Sequence, residues 1–96
     1  MTQQAKKNCI DKKFVIHNKM GLHARPAALF VQTANRFQCD VEVQKGRQKV
    51  DGKSIMGIMM LAAGVDSSIT VRTTGPDATL AMTEIEKLIE GNFGES

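Results

Sequence analysis

The sequence Gly-Leu-His-Ala-Arg-Pro-Ala at residues 21–27 marks the passage from a predicted strand to a predicted helix. Proline is favoured in the first turn of a helix, because its missing N–H would have no intrahelical partner there. A helix that begins near Pro26 directs the free N–H groups of its first turn, and the positive end of its dipole, towards His23. Arg25 adds a planar set of donors that fits phosphate oxygens. The stretch therefore predicts an anion site beside a histidine.

The residue types around His23 suit a histidine that accepts and releases a phosphoryl group. A nucleophilic imidazole must be neutral, with one ring nitrogen free and the other held by a partner. The helix end and Arg25 disfavour the imidazolium form, and they also stabilise the negative charge of an attached phosphate. A lone histidine before a helix is more often a surface or N-cap residue. The complete run at residues 21–27 favours the phosphoryl-accepting role.

Hydrophobic periodicity outward from this junction predicts the element order β-α-β-β-α-β-α. The predicted strands cover residues 13–17, 39–44, 48–51 and 68–72, and the predicted helices cover residues 26–37, residues 54–61 and the segment that follows a turn at residues 74–77. Gly91 is expected to end the last helix. Because three amphipathic helices need a sheet to cover, we expect an α+β fold, a two-layer open-faced sandwich.

The composition indicates one small domain and excludes several classes of partner. The chain has 96 residues, and we expect residues 1–9 to be a flexible extension and residues 10–96 to form the domain. The net charge is only +3, and there is no Trp or Tyr to stack on bases, so nucleic-acid binding is not expected. No apolar run reaches membrane-spanning length and no signal peptide is apparent. We expect a cytoplasmic protein without membrane insertion.

The two cysteines match no metal-binding or redox motif. Cys9 and Cys39 lie far apart in the sequence, and a metal pair of Cys9 with His17 would lack a third and fourth ligand. A cytoplasmic protein keeps its thiols reduced. We therefore expect two free thiols, no disulfide, no metal and no cofactor.

A second stretch, Ser-Ile-Met-Gly-Ile-Met-Met-Leu at residues 54–61, carries more apolar residues than one buried stripe of a two-turn helix can hold. Ser54 directly precedes this run and is a good N-cap, a role that needs no regulation. We expect Ile58 and Leu61 in the core. Ile55, Met56 and Met59 are expected on a partner-docking surface, because methionine adapts to several partners, although methionine as a core filler is the alternative.

Both stretches resemble segments of a known protein family. Residues 21–27 resemble the active-site signature of HPr, the histidine-containing phosphocarrier family of the bacterial phosphotransferase system. Gly-Lys-Ser-Ile-Met-Gly-Ile-Met-Met at residues 52–60 resembles the regulatory serine segment of that family, and the likeness extends from about residue 11 to the C-terminus. The resemblance implies a four-stranded antiparallel sheet that is covered on one face by helices.

The resemblance also implies a function and its partners. Enzyme I, itself phosphorylated by phosphoenolpyruvate, would phosphorylate the delta nitrogen of His23, and the phosphoryl group would pass to IIA-type proteins or domains for sugar uptake. Arg25 would assist the transfer, with Ala24, Arg25 and Pro26 binding the phosphate at the helix N-terminus. Ser54 would be phosphorylated by an HPr kinase/phosphorylase. The chain would be a monomeric carrier rather than an independent enzyme.

Two other functions remain open at this point. A carrier of the related nitrogen branch would use the same chemistry with different partners. A small α+β module could instead hold an anionic ligand at Arg25 and the helix end, without phosphoryl chemistry.

Overall fold

A computed structural model describes residues 8–95 of the chain. The described residues form the elements β1 (Cys9–Val15), α1 (Ala24–Ala34), β2 (Asp40–Lys45), β3 (Gln48–Asp51), α2 (Ile55–Met60), β4 (Ser68–Thr74) and α3 (Ala78–Glu90). This is the order that the hydrophobic periodicity predicts. Among the described residues, no helix has the length and apolar character needed to cross a membrane.

The four strands form one antiparallel sheet in the order β1-β4-β2-β3. Along β4, which lies between β1 and β2, the side chains of Ile69, Val71 and Thr73 are buried, and the residues between them are more exposed. This alternation means that the sheet has one covered face and one open face. The predicted α+β open-faced sandwich is confirmed.

The helices cover the sheet with stripes of small and apolar residues. The buried residues of α1 are Pro26, Ala27, Phe30, Val31 and Ala34. Those of α3 are Ala78, Ala81, Met82, Ile85 and Ile89. Both sets recur at spacings of three and four residues, so each helix presents one face to the core.

The first strand begins at Cys9, earlier than the predicted start at residue 13. Lys12 lies on the same face of the strand as Ile10 and Phe14 but is exposed, and its Nζ lies 2.6 Å from Glu86 Oε1 of α3. A lysine at this position interrupts the apolar alternation, so the sequence pattern becomes visible only from Phe14 onward. Of the predicted extension, residues 1–7 lie outside the described residues, and Cys9 already pairs with Thr74 of β4.

A tight turn follows α3 and returns the chain towards the start of α1. Gly91 follows the helix as predicted, and the turn then covers Asn92–Gly94. Asn92 and Phe93 both have a φ of 55°, which is unfavourable for residues with a side chain. The Phe93 side chain is buried in the core, and this burial offsets the unfavourable backbone conformation.

Asp77 joins the end of the α1–β2 connection to the start of α3. Its carboxylate oxygens accept hydrogen bonds from the backbone N–H groups of Gln38 and Cys39, each at 2.9 Å. These two donors hold the pKa of Asp77 below its usual range. Cys39 is buried, which raises the pKa of its thiol, and both cysteines are free as predicted.

Candidate functional site

His23 is the N-cap residue of α1. Its backbone is extended, and its carbonyl accepts the N–H of Ala27 at 2.9 Å, the first hydrogen bond of the helix. The side chain makes no capping hydrogen bond and is 38% exposed. The imidazole is therefore accessible to a partner and does not serve to cap the helix.

The helix begins at Ala24, before the predicted start at Pro26, so Pro26 is the third helical residue. Proline has no N–H, and the first-turn donors beside His23 are therefore the N–H groups of Ala24 and Arg25. Ala24 and Arg25 are exposed, whereas Pro26 is buried. The predicted helix N-terminus thus offers two backbone donors, and Pro26 contributes by fixing the backbone.

The loop before His23 packs closely against the segment that follows α2. Gly21 has a φ of 66°, and a Cβ built on it would lie 2.3 Å from the carbonyl oxygen of Ala63. The N–H of Leu22 donates to the same oxygen at 2.8 Å. Only glycine fits this position, because both the space and the backbone conformation exclude a side chain.

A carboxylate holds one nitrogen of the His23 ring. Nε2 lies 3.1 Å from Oε2 and 3.4 Å from Oε1 of Glu95, which follows the turn after α3. No sequence pattern pointed to Glu95. The two residues are far apart in the chain, and the only signal near Glu95 is the apolar residue Phe93 beyond the predicted helix end.

This contact defines the tautomer of a neutral His23 ring. An ionised carboxylate only accepts hydrogen bonds, so Nε2 must carry the proton. In the neutral ring Nδ1 then carries the lone pair. Among residues 8–95, no side-chain hydrogen bond occupies Nδ1. The ring therefore has one nitrogen held and the other available as a nucleophile.

Arg25 lies on the exposed side of the first helical turn. Among the residues that the structure describes, it forms no ion pair or side-chain hydrogen bond, and no direct contact of this kind joins it to His23 or Glu95. Its guanidinium is thus available to an incoming anion.

A shallow depression of about 270 Å³ connects His23 with α2. Its lining residues are Met20, Leu22, His23, Met59, Ala62, Ala63 and Gly64. Two of the lining residues, Met20 and Met59, are exposed methionines, and we name these two together with the exposed Met56 and Met60 of α2 the methionine surface. Met56 is 71% exposed, whereas Ile58 and Leu61 are buried as predicted. An exposed apolar surface beside a reactive side chain is typical of a protein-docking site.

Ser54 and Ile55 stand at the start of α2. The Ser54 hydroxyl oxygen accepts the N–H of Gly57 at 3.1 Å, so the predicted N-cap is confirmed. Ile55, the remaining residue of the predicted docking set, is 44% exposed. The N-cap serine therefore lies directly before the helix that carries most of the methionine surface.

A comparison with protein families decides between the remaining functions. The family described as "PTS HPr component phosphorylation site" matches residues 10–91. The chain belongs to the HPr family. HPr proteins are phosphocarriers of the phosphotransferase system, so the anion-binding module without phosphoryl chemistry is not favoured.

Individual HPr relatives agree over nearly their whole length. The phosphocarrier protein HPr of Cupriavidus necator is 45% identical over 86 residues, which are 90% of this chain and 97% of that protein. The crystal structure of an HPr from Thermoanaerobacter tengcongensis superposes with a TM-score of 0.88 at 45% identity and covers 91% of this chain and 98% of its own.

A second crystal structure from Thermoanaerobacter tengcongensis is described as an HPr dimer. It is 42% identical, covers 99% of this chain and 100% of its own, and has a TM-score of 0.74. HPr chains therefore occur as dimers as well, and the monomeric state expected for this chain stays a prediction.

Proposed function

We propose that His23 accepts a phosphoryl group from phosphorylated enzyme I and passes it to IIA-type proteins or domains for sugar uptake. The observation that carries this proposal is the contact between Nε2 of His23 and the Glu95 carboxylate. It leaves Nδ1 with the lone pair on an accessible ring, as a nucleophile requires. The proposed place of action is the cytoplasm, and the proposed carrier is a monomer.

In the proposed step, the Nδ1 lone pair forms a bond to phosphorus. The bond between phosphorus and the donor breaks, and its electron pair stays on the donor. Transfer to an acceptor reverses these roles, with the electron pair of the N–P bond returning to Nδ1. Phosphoryl transfer depends mainly on positioning and on neutralising charge, so a small site suffices when a partner supplies the rest.

Backbone and side-chain donors stabilise the phosphoryl group in this proposal. The N–H groups of Ala24 and Arg25 lie at the positive end of α1, and the Arg25 guanidinium adds charge-assisted donors. Pro26 fixes the first turn that presents them. The two backbone donors are already oriented before phosphate arrives, so they need little reorganisation during the transfer.

The methionine surface, together with Ile55, is the proposed docking surface for enzyme I and the IIA-type acceptors. It borders His23 through the shared depression, and its side chains are exposed in the free protein. Methionine packs against differently shaped partners, which suits a carrier that binds a donor and an acceptor in turn.

Ser54 is the proposed regulatory site, phosphorylated by an HPr kinase/phosphorylase. A phosphate at a helix N-terminus is compatible with the helix, because the first-turn N–H groups and the dipole favour negative charge. It would, however, add about −1.5 to −2 charges next to the exposed Ile55 and Met56. The proposed effect is weaker docking to enzyme I, because an apolar contact would then have to desolvate a phosphate.

Labelling with radioactive phosphoenolpyruvate and enzyme I tests the proposed role of His23. The wild type should acquire an acid-labile label, and His23→Ala should acquire none. His17→Ala is the matched control, since His17 is the other histidine and is exposed. Labelling of His23→Ala to the wild-type extent would refute the proposal.

A further inference from the structure

We infer that Glu95 is a positioning residue for His23, and that Asn18 fixes the Glu95 carboxylate in place. The inference rests on the proposed role of His23 and extends it to two residues outside the family's signature stretch. The chain Asn18–Glu95–His23 joins the loop before α1, the C-terminal segment and the reactive ring by hydrogen bonds.

Asn18 is the fixed end of this chain of hydrogen bonds. It is 1% exposed, and its side-chain amide donates to the Gly21 carbonyl at 2.7 Å and to Glu95 Oε1 at 3.0 Å. A buried amide whose two donors are both used has little freedom to rotate. It therefore holds one oxygen of Glu95 while the other oxygen accepts from His23.

The backbone after α3 adopts an unfavourable conformation that places Glu95 at the site. Asn92, Phe93 and Gly94 all have positive φ, and the buried Phe93 anchors the turn in the core. The turn is closed by the N–H of Glu95, which donates to the Asn92 carbonyl at 2.8 Å. Unfavourable conformations persist where packing stabilises them, and here the result is a carboxylate beside the reactive ring.

The carboxylate acts in two ways in the transfer step. It retains the proton on Nε2, which keeps the lone pair on Nδ1. When Nδ1 forms its bond to phosphorus, the ring gains positive charge, and the carboxylate stabilises that charge through the Nε2–H bond. An aspartate that orients a histidine base in hydrolases acts in a similar way, although it holds Nδ1–H and leaves Nε2 free, whereas Glu95 holds Nε2–H. Glu95 should therefore affect the transfer step and leave docking unchanged.

The tautomer of His23 can be read directly and without any partner. We would record ¹⁵N chemical shifts of the ring at a pH where it is neutral, with the His17 signals assigned by their loss in His17→Ala. The wild type should carry its proton on Nε2, and Glu95→Ala should shift to a mixture of both tautomers. Glu95→Gln should keep the wild-type tautomer, because its amide oxygen still accepts from Nε2. Glu90→Ala, an exposed glutamate at the end of α3, is the matched control and should match the wild type.

Transfer kinetics with enzyme I provide the second measurement. We expect kcat to fall about 10-fold in Glu95→Ala, with KM within about 2-fold of the wild type. Glu95→Gln should also have a lower kcat than the wild type. It keeps the Nε2–H tautomer of His23, but it lacks the negative charge that stabilises positive charge on the ring. An unchanged tautomer and kcat in Glu95→Ala would overturn the inference, and so would a rise in KM alone, which would make Glu95 a docking residue.

These outcomes separate the inference from the proposed function. If wild type and Glu95→Ala are labelled at the same rate while His23→Ala is not labelled, His23 keeps its role and Glu95 loses its own. If the wild type is not labelled at all, the proposed function fails, and the inferred role of Glu95 in transfer fails with it.

Discussion

The N–H of Leu22 and the carbonyl of Ala63 form a backbone hydrogen bond of 2.8 Å. Leu22 directly precedes His23, and Ala63 lies just beyond α2. The bond therefore fixes His23 relative to the helix that carries most of the methionine surface. In the proposed function, a partner that docks on α2 would meet the imidazole at a defined distance, which is what transfer between two proteins requires.

Gly21→Ala should disrupt this connection. The new Cβ would lie 2.3 Å from the Ala63 carbonyl oxygen, and alanine disfavours a φ of 66°. We expect the free energy of unfolding in urea to fall by about 3 kcal/mol, with loss of phosphoryl acceptance.

Gly46→Ala is the control for this variant. Gly46 has a φ of 61°, close to that of Gly21, but its Cβ position is open. Gly46→Ala should lower the free energy of unfolding by only about 1 kcal/mol, which is the conformational penalty of alanine at a positive φ. An equal loss in the free energy of unfolding for Gly21→Ala and Gly46→Ala would show that close packing of Gly21 against Ala63 does not contribute to stability.

Ser54→Ala should lower the free energy of unfolding by about 1 kcal/mol, because the N–H of Gly57 loses its capping acceptor. Ser54→Asp should retain a cap and most of the stability. Ser68→Ala, at an exposed position, is the control and should change stability by less than about 0.5 kcal/mol. In transfer from enzyme I, Ser54→Asp should lower kcat/KM, and an unchanged value would contradict the proposed regulation.

Met56→Glu should impair transfer from enzyme I without unfolding the protein. Met56 is 71% exposed, so we expect kcat/KM to fall about 10-fold and the Tm to shift by less than about 4 °C. Ile58→Ala, in the same helix but fully buried, should instead cost about 2–5 kcal/mol of stability. A loss of activity in Met56→Glu that parallels unfolding would place Met56 in the core.

The Asp77 carboxylate should make stability depend on pH in the acid range. Its pKa in the folded protein is lowered, first by the N–H of Gln38 and then by that of Cys39. A lowered pKa means that the stabilisation is complete above the pKa of the unfolded chain and is lost as pH falls through the lower, folded value. Asp77→Asn should destabilise the protein at pH 7, because one of the two acceptors and the charge are gone.

Urea unfolding at a series of pH values tests this prediction. The difference in stability between wild type and Asp77→Asn should shrink as the pH falls from 7 to below about 4. Asp40→Asn, at an exposed aspartate that begins β2, should show no such convergence. A difference that is constant with pH would mean that the Asp77 charge does not contribute.

Some features of the fold were accessible from local sequence patterns. The order of the elements, the strand-to-helix junction at His23 and the N-cap at Ser54 all depend on residues close together in the chain. The buried positions of Ile58 and Leu61 also followed from spacing alone. Short-range periodicity and capping chemistry encode such features, so the sequence could predict them.

Other features depended on contacts that no local pattern encodes. β1 was predicted to begin too late because Lys12 interrupts the apolar alternation of its face, and the ion pair of Lys12 with Glu86 is visible only when α3 is in place. The start of α1 was predicted too late, because Pro26 was assigned to the first helical position.

The sequence by itself singled out His23 as the proposed phosphoryl acceptor and α2 as the proposed docking helix, because spacing and residue type express both. Only the tertiary structure supplied a physical reason why the delta nitrogen, which the family resemblance implies, is the free one. Asn18, Glu95 and His23 meet through a turn that the buried Phe93 anchors, and hydrogen bonds between residues so distant in the chain leave no periodic trace in the sequence. Packing, rather than propensity, therefore sets the tautomer of the reactive ring.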